Sequence, residues 1–399
     1  MLVFKMNTSI KNNLWFEKPI ENIGETNPIK SFITDGVLNI DPTNWNILKS
    51  KYTREELEEY LIDAIYSGDI DLPYRECSVY DAISSFNKLL NYECRGPVEG
   101  KIFTKFPYRY KLNDLYIDEA VVGNVASDYF QQQNRFECGH VHFPSPAEVW
   151  HDKKQLHHLV GGLFTLNYDS INTSKLRSLI AMRCYIASQF RPAVAKSIYE
   201  YYNAENVLDF SSGWGDRLCG FYAAKCTKSY IGIDPNVKVY NNYYKQAELY
   251  SKLTNKKDVT FINKPAEDVC DLPENCVDLV FTSPPYFKTE KYSEDDTQSF
   301  KRYDEVDGWL TGFMYKTIDN VWKALKPGGH LVINISDAKI HGKRQHICDD
   351  MNDYIGTKPD SEYEMGFGMK LSVRPNSDGA KGEEDTELVE PVWVWKKVE

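Results

Sequence analysis

An apolar run, Val277-Asp278-Leu279-Val280-Phe281-Thr282, leads straight into Ser283-Pro284-Pro285-Tyr286. A buried strand is thereby forced to end in a turn that cannot continue as sheet or helix. Each Pro holds φ at about −65° and removes an N–H. The residue ahead of a Pro is pushed to an extended conformation. The carbonyls of such a turn point in fixed directions, with no competing donor beside them. A hydroxyl and a carbonyl held this way can accept hydrogen bonds from an exocyclic –NH2 group, and the Tyr286 ring can stack on a base. A Pro-Pro turn after a strand is by itself only a turn, so its meaning depends on what precedes it.

What precedes it is an alternation of strands and helices. Asn206 to Phe210 reads as a short hydrophobic strand, Ser211-Ser212-Gly213-Trp214-Gly215 as a glycine-containing turn, and Asp216 onward as a helix. Glycines after a first strand let the backbone approach a ligand closely, and the helix behind them offers free N–H groups. Ser229 to Asp234 is a second strand tipped by a carboxylate, roughly 20 residues beyond the glycines, where it can hold ribose hydroxyls. A helix over Val237–Leu253, a strand over Val259–Ile262 and then Pro265-Ala266-Glu267-Asp268 follow. The fold class is α/β with a mostly parallel sheet. Ligands of such sheets sit at the carboxyl ends of the strands, where all these polar elements fall.

From about Phe190 onward the chain resembles a Rossmann-like (class I) S-adenosylmethionine (SAM)-dependent methyltransferase of the amino-methylating DNA group. The Asp209–Gly215 turn, including Ser211, Gly213 and Trp214, is similar to that family's SAM loop. Asp234, followed by Pro235, matches the ribose-binding acid, and Asp268 with Glu267 matches the adenine-contacting position. Ser283-Pro284-Pro285-Tyr286 matches the catalytic (S/D/N)PPY motif; the Ser form is similar to cytosine-N4 enzymes, whereas adenine-N6 enzymes more often carry Asp. Gln189-Phe190-Arg191-Pro192 resembles the motif that packs over the methionine end of SAM. Trp322 to Gly329, His330 to Ser336, Met369 to Val373 and Val392 to Trp395 suit the last helix and strands of the family sheet. The sequence departs from the family at its first turn, which usually reads D-P-x-x-G-S-G, so that Trp214 packs either on SAM or on the neighbouring helix. It also lacks an obvious target-recognition insert between the cofactor loop and the Pro-Pro turn.

The resemblance implies methyl transfer from SAM to an exocyclic amine of a DNA base, cytosine N4 before adenine N6, in a restriction-modification setting. The same chemistry on RNA or on a protein amide is the alternative, as is a catalytically silent methyltransferase-like subunit that only binds. Positioning and electrostatics carry such a reaction. In a duplex the target base has to be flipped out, and Tyr286 or Phe287 can stack on it. Cys270 and Cys276 read as packing thiols, with no cytosine-C5-type nucleophile in view. The polar segment Lys288–Ser299 reads as a mobile loop beside the site. Trp309 to Leu325 reads as one amphipathic helix, and Ser377 to Glu387 as an exposed hairpin.

With 399 residues there is room for a methyltransferase domain over 181–399 and an N-terminal region over 1–180, mainly helical or mixed, as the candidate for nucleic-acid recognition. Thr53-Arg54-Glu55-Glu56 marks a helix start, Tyr80–Leu90 a second helix, Ala147–Trp150 the opening of another, and Ser174–Phe190 a basic one. Cys138, His140, His142 and His151 raise a metal reading, but a second ligand pair is missing; no metal is expected. Nine cysteines without paired spacing and no apolar stretch of membrane-spanning length lead to the expectation of a reduced, cytoplasmic protein with no membrane partner. The net charge of −11 argues against a broad basic surface. The sequence leaves the oligomeric state open. Residues 1–150 carry fifteen Lys/Arg against twenty-two Asp/Glu (−7), and residues 151–200 seven against three (+4), so any basic patch is local.

Overall fold

The computed structural model describes residues 27–254, 258–371 and 385–399. Seven strands form its central sheet: β1 (Asn206–Asp209), β2 (Ser229–Ile233), β3 (Asp258–Ile262), β4 (Val277–Thr282), β5 (Leu325–Asn334), β6 (Ser361–Lys370) and β7 (Glu387–Lys397). Their spatial order is β3-β2-β1-β4-β5-β7-β6. β3, β2, β1, β4 and β5 run parallel, and β7 lies antiparallel between β5 and β6. This is the class I methyltransferase sheet. The chain builds outward from β1 to β3, then crosses to the other side of β1 to place β4. The crevice between the carboxyl ends of β1 and β4 is the switch point where ligands of open α/β sheets bind.

Local sequence explains the main elements. The middle strands are apolar on both faces because helices cover both; Val207, Leu208, Leu279, Val280, Phe281, Leu331, Val332 and Ile333 are all buried. On one face lie α1 (Asn124–Glu137), α2 (Pro192–Tyr201), α3 (Asp216–Ala223) and α4 (Val237–Leu253). α2 opens on Pro192, whose missing N–H costs nothing in a first turn. α3 nests against α2 through Gly220, where a Cβ would stand 2.7 Å from the Pro192 carbonyl oxygen. α4 buries Val239, Tyr243, Gln246, Ala247 and Tyr250, the spacing of one helix face. On the other face the helix expected over Trp309–Leu325 is present as an unbroken helical run, Val306–Trp309, a π-helical stretch over Leu310–Met314, and Tyr315–Ala324.

The N-terminal region contains helices, as expected, but it does not form one block that ends at residue 180. Helices Pro42–Lys51, Arg54–Tyr66, Lys153–Thr165 and Thr173–Arg183 surround a core of their own around Leu57, Leu61, Trp150, Leu156 and Leu179. The Thr53–Glu56 capping box is present as the sequence foretells. Residues 79–137 instead belong to the central layer. Helix Val79–Leu90 packs its Phe86 on Tyr250 of α4, with ring centroids 4.5 Å apart. Strands Leu115–Ile117 and Val98–Glu99 extend the sheet past β6, and Ile102–Thr104 pairs with β7. An uncovered β6 would leave a row of unpaired backbone groups, and these short strands close that edge. The basic helix expected over 174–190 stops at Arg183, and Cys184–Arg191 continues as irregular chain. β6 ends at Lys370, short of Val373; residues 372–384, most of the hairpin read over Ser377–Glu387, lie outside the described residues.

One buried ion pair ties these elements at the switch point. Asp209, the last residue of β1, is fully buried. Its carboxylate accepts from Arg217 Nε of α3 at 2.8 Å and Nη2 at 3.2 Å, from the Tyr230 hydroxyl of β2 at 2.9 Å, and from Thr282 Oγ1 of β4 at 2.8 Å. The Ser211 backbone N–H donates to it at 3.2 Å. Removing only the cation leaves a buried carboxylate without its counter-charge, which is strongly destabilising. Arg217→Met is therefore expected to lower unfolding free energy by roughly 3–5 kcal/mol in urea titration. A change below about 1 kcal/mol would show that the pair does not hold the layer together.

Candidate active site

The glycine turn is fixed by its own backbone and by α4. Gly213 and Gly215 take φ of +56° and +73°, the left-handed region that favours glycine. A Cβ on Gly215 would collide with the Gln246 amide. Tyr243 Oη donates to the Gly213 carbonyl at 2.6 Å, and Gln246 Nε2 donates to the Trp214 carbonyl at 3.1 Å. The Gly213 N–H donates in turn to Asp234 Oδ2 at 2.8 Å, and the Asn236 N–H to Oδ1 at 2.9 Å. The turn and the carboxylate at the tip of β2 thus form one hydrogen-bonded unit. Trp214 is buried in the wall next to this unit: its Nε1–H donates to the Ser188 carbonyl at 3.0 Å, and its ring lies 5.7 Å from Tyr292.

Ser283-Pro284-Pro285-Tyr286 leaves β4 beside that turn, because Thr282 immediately before it is held by Asp209. A single cavity of about 560 Å³ is walled by both segments. Among the expected residues, Phe190, Ser211, Gly213, Trp214, Asp234, Pro235, Glu267, Ser283, Pro284, Pro285 and Tyr286 all line it. Pro192, Asp209, Gly215 and Asp268 do not. Pro192 packs under α3, the Asp209 carboxylate is taken up by Arg217, Tyr230 and Thr282, and Gly215 faces α4. Arg302 binds both Asp268 oxygens, at 2.8 and 3.2 Å, and reaches Glu267 Oε1 at 2.7 Å.

Lys288–Ser299 reaches the cavity, but much of it is engaged by the protein. Glu290–Lys291 pairs antiparallel with Gly139–His140. The hydroxyls of Tyr185 and Tyr292 both donate to the Glu290 carboxylate. Thr297, Gln298 and Ser299 line the cavity next to Glu267. Cys138 is buried, and the His140 Nδ1 accepts from the His142 N–H at 3.1 Å. No group of three or more metal-ligating side chains occurs among the described residues.

Several cavity residues escaped the sequence reading. Val121 and Asn124, at the start of α1, and Tyr185 and Ser188, in the irregular chain after Arg183, come from the N-terminal half. Glu290 and Glu390 are half-buried carboxylates of the same wall. Glu390 interrupts the apolar closing strand just before Pro391, and that interruption was the available signal. Tyr286 stands with Ser283 and Glu390 on this wall.

Burial makes the cavity unusually favourable to protons. It pushes Asp216 and Asp234 up to about 6 and raises Glu267, Glu290 and Glu390 above their ordinary values. The cavity's size lies within the roughly 300–1,000 Å³ of small-molecule sites. Its fit to SAM rests on a close-approach glycine turn, where a Cβ on Gly213 would meet only the Ser211 carbonyl oxygen, at 3.7 Å, beside a strand-tip carboxylate that can accept from ribose.

Residues 277–366 match the model of a DNA methylase family, N6_N4_Mtase, a span that takes in β4, the Pro-Pro turn, β5 and half of β6. That match agrees with the amino-methylating DNA methyltransferase motifs of the sequence. No curated protein sequence matches the chain. Among solved structures, a tRNA m1G37 methyltransferase of M. jannaschii is similar at 16% identity and a TM-score of 0.32, covering 53% of this chain and 51% of that one. This chain thus matches about half the length of that relative. A SAM-dependent methyltransferase of Methanosarcina mazei is similar at 14% identity and a TM-score of 0.32, covering 50% of this chain and 97% of that one. The N-methyltransferase NodS of Bradyrhizobium japonicum gives 13%, 0.30, 51% and 94% for the same measures. The strand order is that of the SAM-dependent methyltransferase fold, and the family match falls on the part of it that carries the Pro-Pro turn.

The raised acids have a sign that stability can test. Asp216 is 2% exposed; its Oδ1 accepts from Ser127 and Gln189, and its Oδ2 has no hydrogen-bond partner. Its folded value of about 6 lies above the ordinary 3.8, so the folded state holds the extra proton between those values. The cost is fully present above about pH 6 and disappears as pH falls toward 4. Asp216→Asn keeps an acceptor oxygen and deletes the buried charge. The expected outcome is a gain of roughly 1–3 kcal/mol in urea at pH 8 that shrinks at pH 5. A loss at pH 8 would contradict the assigned cost.

Proposed function

We propose that this protein transfers a methyl group from SAM to an exocyclic amine of a DNA base, with cytosine N4 favoured over adenine N6. The observation that carries the reading is the shared cavity: the glycine turn with Asp234 on one wall, Ser283-Pro284-Pro285-Tyr286 on the next. When bound, SAM supplies an electrophilic methyl group on a sulfonium. In this reading Asp234 accepts from the ribose hydroxyls, Gly213 gives the backbone room for close approach, and Glu267 stands on the adenine side. Phe190 closes the methionine side.

The base's amino nitrogen is a poor nucleophile because its lone pair is delocalised into the ring. Ser283 Oγ and the Pro284 carbonyl accept from its two N–H groups and favour a more tetrahedral nitrogen. Tyr286 stacks on the ring and sets its plane. These groups are rigid before substrate arrives, so most of their contribution is pre-paid orientation and fixed dipoles. Tyr185, Tyr292 and Gln298 wall the cavity and limit water. The Ser form of the tetrapeptide is the basis for cytosine N4; RNA bases and a protein amide are the alternative substrates of the same geometry. The DNA partner, a restriction-modification setting and the recognition role of the N-terminal region belong to this proposal as well.

Nucleoside mass spectrometry on DNA and RNA incubated with the protein and labelled SAM tests the substrate; label in neither polymer would refute the reading. Ser283→Ala is expected to cut single-turnover methylation by about 10²-fold or more while SAM affinity stays within about twofold. Parallel loss of both would assign Ser283 to cofactor binding. Asp234→Ala is expected to weaken SAM binding at pH 7.5. The wild-type affinity is expected to fall below pH 6, as Asp234 takes up its proton, and the variant to lose that pH dependence. A wild-type affinity that is flat from pH 7.5 to 5 would place the ribose contact elsewhere.

A further inference from the structure

β5 ends at Asn334 on the cavity wall, and four residues later a second hairpin begins at the same rim of the sheet. Its strands, Ala338–Ile340 and Lys343–Gln345, join through His341 and Gly342, both with positive φ, the turn geometry that matches strand twist. The base of the hairpin is rigid. Arg344 donates to Asp337 Oδ2 and to the Pro107 carbonyl, each at 2.6 Å, and its guanidinium lies over Tyr108. Ile340 is buried. The tip is different. Lys339 and Lys343 are exposed, and neither ammonium has a hydrogen bond or ion pair among the described residues. Residues 337–346 hold three Lys/Arg against one Asp, a local +2 in a chain of −11.

A row of rings joins this tip to the cavity. His341 meets His142 with centroids 5.6 Å apart, His142 meets His140 at 5.5 Å, and His140 meets Tyr185 at 4.6 Å. Tyr185 is itself cavity wall. Beside the row stands Phe143, a large apolar ring left 55% exposed. Free cations flanking exposed flat rings are the combination that holds a phosphate backbone while its bases stack.

We propose that the hairpin Ala338–Gln345 and the adjoining His140–Phe143 loop form the entry surface for a nucleic-acid strand, with Lys339 and Lys343 holding backbone phosphates and the ring row receiving unstacked bases on the way to the cavity. This rests on the methyl-transfer reading above for its substrate and adds the surface that delivers it. Much of the recognition then lies in the C-terminal half, at a place formed by both halves of the chain.

The test is the salt dependence of binding to a labelled DNA duplex and a labelled single strand between 50 and 200 mM KCl. Each phosphate contact adds about −0.9 to the log–log slope for a duplex and about −0.7 for a single strand. With Lys339→Ala and Lys343→Ala combined, the slope is expected to be shallower by about 1.8 and about 1.4 respectively, with SAM affinity unchanged. Lys49→Ala with Lys51→Ala, on helix Pro42–Lys51, removes the same charge elsewhere and is expected to leave the slope alone. An unchanged slope in the hairpin variant, an equal change in both variants, or a fall in SAM affinity in the hairpin variant would overturn the surface alone. A wild-type protein that binds neither DNA form would overturn both the surface and the substrate reading.

Discussion

The carboxylate of Asp209 is the constraint on which the cavity depends. It sits where three strands and a helix converge, and each of its partners belongs to a different element: Arg217 to α3, Tyr230 to β2, Thr282 to β4. Two consequences follow from one group. The glycine turn is held against β1 from within, and the residue just before Ser283 is held to the same point. The two ligand-facing segments therefore share a fixed frame although 67 residues separate Gly215 from Thr282. A buried ion pair is a poor source of net stability compared with apolar packing. Its worth here is positional: a carboxylate with several directional donors admits one arrangement of its neighbours, whereas an apolar contact admits many.

That arrangement explains why part of the site was legible in sequence and part was not. The turn Ser211–Gly215, the tip carboxylate Asp234 and the Pro-Pro turn are each dictated by local chemistry: positive φ, a strand end, a missing N–H. Helices such as Val237–Leu253 and Val79–Leu90 were legible for the same reason, since their buried positions repeat at helical spacing. Asp209 is the instructive case. It stands at the expected place, but its role depends on Arg217 eight residues later and Thr282 seventy-three residues later, and no local pattern shows that both will reach it. The contribution of Asn124 and Tyr185 to the cavity is likewise a long-range fact. The π-turn at Leu310–Met314 escaped because an amphipathic pattern is nearly the same with one extra residue in a turn. Strands of two or three residues from before the expected boundary at residue 180, such as Val98–Glu99, have too little pattern to read, yet they cap a sheet edge.

The charge distribution looks contradictory until it is divided by depth. Asp216, Asp234, Glu267, Glu290 and Glu390 all face one cavity, and burial raises each of them above its ordinary value. Acids crowded in a low-dielectric site repel one another and favour protonation, so the site gains from any ligand that brings positive charge. SAM carries a sulfonium and an ammonium group and suits such a wall. On the proposed reading, a polyanionic nucleic acid does not, and only its target base has reason to enter.

The acidity of the chain therefore places a requirement on its surface. With a net charge of −11, long-range attraction cannot gather a nucleic acid from solution over the whole molecule, and screening confines useful contacts to about 8–10 Å at physiological ionic strength. Cations that do bind phosphate have to lie at the cavity mouth and remain unpaired by the acids around them. The cations lining the cavity fail this condition: Arg217 is engaged by Asp209, Lys370 by Asp118 and Glu387, and Arg191 by Asp118 and by the Glu119 and Lys370 carbonyls. Lys339 and Lys343 of the hairpin Ala338–Gln345 meet it: both are exposed, and neither ammonium is paired among the described residues. One arginine at the base of the hairpin thus stiffens it by pairing with a buried carboxylate, while the two lysine ammonium groups stay exposed.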